Sequence, residues 1–197
     1  DFVELGLELS CPEAARILLA QDNWHWQAQG AATEETDYAP EDMEILRKTR
    51  EEAMALTERT DPLSSLLLYG LHAQNLLDGA EEAPFEADCL PELSREGDMD
   101  AFLAGFRSLE ILTPAWKQRL ANPAPRPLQK ADRAMLRYLI SRYWLQAISD
   151  FDIVCRAKLA VSLVLLNCLL GGDSVTTAQL LSKEIENDAA NMDALLD

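Results

Sequence analysis

The strongest constraint on this chain is a helical stretch that ends at Leu170 and is apolar on nearly every face. Asp150 or Asp152 is placed to cap its first turn, and two glycines, Gly171 and Gly172, mark its end. A helix without a polar face has to be covered on all sides by other elements. The sequence therefore predicts a multi-helix bundle with this helix at its centre.

The length of this stretch argues against a membrane span. Its most apolar part, residues 159–170, contains Ser162 and Asn167. It falls short of the roughly 20 apolar residues that a membrane-crossing helix needs. We expect a buried helix and no membrane contact.

Helical patterns fill the chain from residue 39 to residue 197. Each pattern carries an apolar stripe at helical spacing, and a proline, a glycine or a capping residue separates it from the next. The prediction is an all-α bundle domain of about six or seven helices, of which the third runs through Leu112. The expected helices begin near Pro40, Pro62, Asp98, Pro114, Asp132, Asp150 and Thr176.

Residues 1–38 predict a small strand and helix appendage. Residues 3–9 alternate between apolar and polar side chains, which is typical of a strand with one buried face, and residues 24–28 alternate in the same way. Between them, Ser10 and Pro12 suit the start of a short helix. The chain begins at Asp1 without a methionine, so we expect this appendage to be the trailing end of a region in a longer protein.

The charge balance excludes one class of partner. Asp and Glu number 34 against 17 Lys and Arg, which gives a formal net charge of −17. A nucleic-acid-binding protein normally carries a basic patch, so no nucleic-acid partner is expected. Such acidity attracts a lysine-bearing protein, although it equally serves solubility alone.

Several well-known types of site are absent from the sequence. There is no glycine-rich phosphate loop between a strand and a helix, and no Glu-x-x-His or His-Glu-x-x-His motif for a metal. The four cysteines lie far apart and form no metal-ligand spacing, which favours a reduced, cytoplasmic compartment.

One predicted helix combines aromatic and basic side chains. Arg142, Tyr143 and Trp144 lie within one turn, and Tyr138 lies four residues before Arg142 on the same face. Tyrosine and arginine together can line a pocket for a planar or cationic ligand. The alternative is an ordinary bundle helix with amphipathic tyrosines and a solvated arginine.

The last helix carries a row of acidic and amide side chains. Glu184, Asp188 and Asn191 share a face at spacings of four and three, and Glu186 lies nearby. Together these side chains can accept the ammonium group of a lysine. The alternative is a solvated acidic face.

Three stretches of the chain resemble segments of the flagellin lysine-N-methylase family, bacterial enzymes that methylate surface lysines of flagellin. Residues 9–16, LSCPEAAR, resemble a segment of that family, and residues 136–144 are similar to its NYLVYRYF-type helix. Residues 182–191 resemble its C-terminal SxEIEHSxxN segment. The order of the three stretches matches the C-terminal half of the family.

The resemblance implies protein-lysine N-methylation with S-adenosylmethionine as the methyl donor. It also implies a cysteine cluster upstream of the first segment, holding an iron–sulfur or other metal centre. This chain lacks the cluster apart from Cys11, and it has Asn187 where the family usually has histidine. A cysteine beside a helix N-terminus suits a metal, but Cys11 has no neighbouring ligands here.

The predicted function is the helical C-terminal part of a protein-lysine N-methyltransferase that acts on flagellin or a similar protein. The alternative is a non-catalytic acidic module that binds a basic protein. Lysine binding and deprotonation are assigned to the catalytic candidates, and Tyr138 and Trp144 are expected to pack against the methyl donor. The candidate catalytic residues are Tyr143, Glu184 and Glu186, the candidate binding residues are Tyr138, Arg142, Trp144 and Asn191, and the candidate metal ligand is Cys11.

Overall fold

The computed structural model describes residues 39–85 and 98–196. Within these ranges the chain forms eight α-helices and no strand, which confirms the prediction of an all-α bundle. The predicted strand and helix appendage of residues 1–38 lies outside the described residues. The helices are α1 (Pro40–Leu56), α2 (Pro62–Leu77), α3 (Met99–Ser108), α4 (Pro114–Ala121), α5 (Lys130–Tyr143), α6 (Ile153–Leu170), α7 (Ser174–Leu181) and α8 (Ala189–Leu196).

Helix α6 is the centre of the bundle, as its sequence predicts. It packs against α2, α5 and α7. Among the described helices it is the one whose length and composition would allow a membrane crossing, but 83% of it is buried inside the fold. Burial of that extent is typical of the core helix of a globular domain.

Helices α2 and α6 approach each other closely at a glycine. A Cβ atom built on Gly70 of α2 would lie 2.6 Å from the Cβ of Ala157 in α6. Non-bonded carbon atoms do not approach each other that closely. The two helices can therefore pack at this distance only because Gly70 has no side chain.

Side-chain caps fix where most helices begin. Asp61, Asp98 and Asp152 accept hydrogen bonds from backbone N–H groups in the first turns of α2, α3 and α6. Thr113 does the same for α4, with its Oγ1 3.2 Å from the amide nitrogen of Trp116. These caps confirm the starts predicted for the four helices.

Residues 122–127, the proline-rich connection before α5, run along the C-terminal end of α6. The backbone N–H of Ala124 donates to the carbonyl of Leu169, and that of Arg126 donates to the carbonyl of Cys168. Gly171 follows with φ of +66°, and a Cβ there would lie 1.9 Å from the carbonyl oxygen of Ala124. Only glycine fits this crossing.

A buried carboxylate ties α5 to this connection. Asp132 is fully buried, and Arg126 donates to both of its oxygens, at 2.5 Å and 2.9 Å. Asn167 and Ser174 each donate to its Oδ1 at 2.7 Å. Since every donor comes from a different segment, Asp132 links the connection, α5, α6 and α7.

Three predicted helices end earlier than expected. Helix α3 ends at Ser108 rather than near Leu112, and residues 109–113 form an extended segment, which we call the strap. The predicted last helix is divided into α7, a π-helical segment Ser182–Glu186, and α8. The helix predicted to run from Asp132 to Ser149 ends at Tyr143 and is followed by a 3-10 helix, Trp144–Ile148. These divisions raise the helix number to eight in the described ranges.

Candidate functional site

Four of the predicted site residues come together in one cluster. Tyr138, Arg142 and Tyr143 lie on the C-terminal half of α5, and Glu186 ends the π-helical segment that packs across them. We call these four residues the tyrosine–glutamate cluster. It forms because i, i+4 spacing brings Tyr138 and Arg142 side by side on α5.

One carboxylate oxygen lies at the centre of the cluster. The hydroxyl of Tyr143 donates to Oε1 of Glu186 at 2.9 Å, and the hydroxyl of Tyr138 donates to the same atom at 3.1 Å. The Glu186 side chain is only 4% exposed. A carboxylate buried to this degree needs such partners, because desolvation without them is costly.

Arg142 covers the two phenol oxygens from the solvent side. Its Nε donates to the Tyr143 hydroxyl at 3.0 Å, and its Nη1 donates to the Tyr138 hydroxyl at 3.1 Å. Its Nε lies 3.7 Å from Oε1 of Glu186, and its side chain remains 47% exposed. The guanidinium carbon lies 5.4 Å from the Tyr143 ring centre and 5.9 Å from that of Tyr138.

The surroundings keep both phenols protonated. Burial raises the pKa of Tyr143, and the hydrogen bond to Glu186 raises it further. The pKa of Tyr138 is raised by burial and by the charge of Glu186. The neighbouring tyrosines raise the pKa of Arg142. Each phenol therefore uses its proton to bind Glu186 and offers its oxygen lone pairs to a cation.

Glu184 lies away from this cluster. It is fully buried on the other side of the π-helical segment, where its Oε2 accepts a hydrogen bond from the backbone N–H of Leu112 at 2.7 Å. The hydroxyl of Thr113 donates to its Oε1. Both oxygens thus hold the strap, and neither is available to a ligand. Glu184 is therefore not part of the candidate site.

Asn191 has a structural position of the same kind. Its Oδ1 accepts from the backbone N–H of Glu110 at 2.8 Å, and its Nδ2 donates to the carbonyls of Glu110 and Glu184, each at 2.8 Å. On the predicted open face the strap covers Glu184 and Asn191, while Asp188 accepts a hydrogen bond from the backbone N–H of Asn191 at 2.8 Å. A lysine from a partner has no access to Glu184 or Asn191 there.

Trp144 is turned into the core. It is 1% exposed, its ring stacks on Tyr69 with 6.2 Å between centroids, and its Nε1 donates to Oγ1 of Thr49 at 3.0 Å. Tyr143 and Trp144 are adjacent in sequence, but successive helical residues point about 100° apart. Trp144 therefore contacts neither the cluster nor a ligand at the surface.

No metal centre is found in the described ranges. The candidate ligand Cys11 lies outside the described residues. Within residues 39–85 and 98–196, no group of three or more His, Cys, Asp and Glu side chains is placed to hold a metal ion. The metal assignment therefore stays a prediction.

A surface groove lies between α4 and α7, with a volume of about 730 Å³. Its charged lining residues are Arg119 and Lys183, and no aromatic side chain lines it. S-adenosylmethionine carries a positive sulfonium and a planar adenine, which call for negative or aromatic surroundings. The groove does not fit this donor.

The sequence patterns found all four cluster residues but not their arrangement. The spacing on α5 predicted a site for a cation or a planar ligand at Tyr138 and Arg142. No sequence pattern indicated that Arg142 itself binds the phenol oxygens. The strap was also missed, because its partners Glu184 and Asn191 lie far along the chain.

Comparison of the chain with protein-family models, with curated proteins and with solved structures finds no match.

Proposed function

We propose that this helical bundle binds a lysine side chain of a partner protein at the tyrosine–glutamate cluster, as the substrate-binding part of a protein-lysine N-methyltransferase. The main support for this proposal is the position of Arg142, which donates hydrogen bonds to the two phenol oxygens and lies close to the Glu186 carboxylate. The cluster thus already holds one organic cation.

The geometry of the acceptors suits an ammonium group. A lysine ammonium has three donors, and the two phenol oxygens can accept from two of them, with the negative charge of the Glu186 carboxylate directly behind the phenols. Tyr138 is 44% exposed and leaves an approach from solvent. The tyrosine rings beside it can contact the aliphatic stem of an incoming lysine.

The cluster would bind lysine in its charged form. A carboxylate close to an ammonium favours the protonated state, and methyl transfer needs the neutral amine. Glu186 therefore captures and orients the charged side chain. This differs from the role in deprotonation expected for Tyr143 and Glu186.

The methyl-transfer part of the proposal rests on the resemblance of the three sequence segments to the flagellin lysine-N-methylase family. S-adenosylmethionine would supply the methyl group. The groove between α4 and α7 does not fit this donor, so the proposal gives the described residues the lysine-binding role alone.

A second function is favoured by the same cluster. A non-catalytic module that docks a basic protein needs only the capture of an ammonium group, and the net charge of −17 would draw such a partner. Titration of S-adenosylmethionine into the full chain by calorimetry separates the two functions. Binding of the donor favours the methyltransferase, and its absence favours either the module or a donor site outside this chain.

The lysine site is tested with a matched pair of peptides, one with a central lysine and one with norleucine at that position. We expect lysine-dependent binding by the full chain and a loss of at least about tenfold in Glu186→Gln, since a charge-assisted contact is removed. Asp193→Asn is the control, because it removes one negative charge from an exposed position on α8. Equal binding of both peptides by the wild type would overturn the proposal.

A further inference from the structure

We propose that Arg142 is an internal occupant of the lysine site and that the site prefers a lysine followed by an acidic residue. This inference rests on the proposed function and names the substrate class for the same site. It follows from what must happen to Arg142 when an ammonium group enters the cluster.

Arg142 and a lysine ammonium compete for the same atoms. The guanidinium already donates to the hydroxyl oxygens of Tyr138 and Tyr143, at 3.1 Å and 3.0 Å. Each phenol proton is committed to Glu186, so each phenol presents its lone pairs on the side that Arg142 occupies. A ligand cation can take these oxygens only after Arg142 has left them.

The structure allows Arg142 to leave. Its side chain is 47% exposed, whereas that of Glu186 beneath it is 4% exposed. Exposed arginine side chains change rotamer rapidly, and no backbone movement is needed to swing the guanidinium into solvent. The buried carboxylate stays in place and receives the new cation.

The displaced guanidinium then lies beside the bound ammonium. Two positive charges a few ångströms apart repel each other, and the repulsion weakens binding. A carboxylate on the ligand, next to the lysine, removes this cost, because a carboxylate matches the fork of a guanidinium in a bidentate pair. A lysine followed by glutamate or aspartate therefore fits the site best.

The charge of the whole chain makes this preference diagnostic. With a net charge of −17, long-range electrostatics oppose an extra negative charge on any ligand. A preference for an acidic neighbour must then come from a local cation, and Arg142 is the cation at the cluster.

The test uses two peptides that differ only in the residue after a central lysine, which is glutamate in one and glutamine in the other. Fluorescence anisotropy gives their affinities for the full-length wild type and for Arg142→Gln. We expect the wild type to bind the glutamate peptide about tenfold more tightly, which is the size of one charge-assisted pair. In Arg142→Gln the glutamine peptide should gain affinity and the preference should vanish.

Arg137→Gln is the matched control. Arg137 lies on the same helix, carries the same charge and pairs with Glu58 at 2.7 Å in an exposed ion pair. This variant should keep the preference.

The outcomes separate the two proposals. If binding depends on lysine and on Glu186 but the two peptides bind the wild type equally, the inference about Arg142 is overturned and the proposed function stands. The same holds if Arg137→Gln loses the preference as fully as Arg142→Gln. If neither the wild type nor Arg142→Gln binds the lysine peptide more tightly than the norleucine peptide, both proposals are overturned.

Discussion

The carboxylate of Glu184 accepts a hydrogen bond from the backbone N–H of Leu112, a residue 72 positions earlier in the chain. The distance is 2.7 Å, and Glu184 is fully buried. The strap of residues 109–113 is therefore held in place by a side chain of the π-helical segment Ser182–Glu186. Without this acceptor the Leu112 N–H would lose its hydrogen-bond partner within the fold.

Glu184→Ala should destabilise the bundle by about 3 kcal/mol, because it leaves a backbone donor and the Thr113 hydroxyl without their acceptor. Glu184→Gln keeps one oxygen acceptor and should cost less, about 1–2 kcal/mol. Urea unfolding followed by circular dichroism measures both. Asp193→Asn on exposed α8 is the control, with an expected change below about 0.5 kcal/mol. Equal stability of Glu184→Ala and the wild type would contradict the structural role of Glu184.

Gly70→Ala and Gly105→Ala should change stability in opposite directions. Both glycines lie in helices, where alanine is preferred by about 1 kcal/mol. At Gly105 a Cβ meets nothing within 4 Å, so alanine should stabilise α3. At Gly70 the added Cβ would lie 2.6 Å from the Cβ of Ala157. Helices α2 and α6 would have to move apart, at a net cost of about 1–3 kcal/mol. Thermal melting of the two variants provides the comparison, and a stabilised Gly70→Ala would show that the two helices separate easily.

Asp132 should contribute to the acid sensitivity of the fold. Burial raises the pKa of this carboxyl, but the hydrogen bonds from Arg126, Ser174 and Gln129 outweigh it and lower the pKa overall. A lowered pKa stabilises the folded state above the unfolded value of about 3.9, and this stabilisation is lost as the pH falls towards the folded pKa. Asp132→Asn should therefore cost about 3 kcal/mol at pH about 7, and the difference from the wild type should shrink below pH about 4. Urea unfolding across this pH range measures the difference. A difference that stays constant would assign the acid sensitivity to other carboxylates.

Tyr143 should keep its proton beyond pH about 10, where a free tyrosine loses it. Its raised pKa means that the folded state binds this proton more tightly than the unfolded state, so the stabilisation is complete below pH about 10 and declines as the pH rises further. Ultraviolet absorbance of the phenolate follows the titration. Tyr143→Phe should leave the absorbance change near pH 10 unaltered, to within about a tenth of one tyrosine. Loss of one full phenolate signal there would place the pKa of Tyr143 at its ordinary value.

Periodicity and capping residues predicted most of the framework. The all-round apolar pattern of α6 placed it at the centre, and Asp61, Asp98, Thr113 and Asp152 marked the beginnings of their helices. These signals are local, since an apolar face or a cap depends on residues within one or two turns.

The arrangement of the site depends on contacts that no local pattern contains. Glu184 and Glu186 are two residues apart, yet one binds the strap and the other binds α5. Residues two apart in a helix point to nearly opposite sides, but contacts distant in sequence decide which side meets the strap and which meets α5. Sequence patterns therefore identified an acidic segment but not which carboxylate reaches a ligand.

The strap also limits the order in which the protein can fold during its synthesis. Its two partners, Glu184 and Asn191, are synthesised 72 and 81 residues after the backbone groups that they hold. On a growing chain, Glu110 and Leu112 must wait for nearly the whole bundle to emerge before their hydrogen bonds can form. Contacts across such sequence separations close large loops and form late in folding. The strap is thus expected to reach its final position only after α8 has been synthesised.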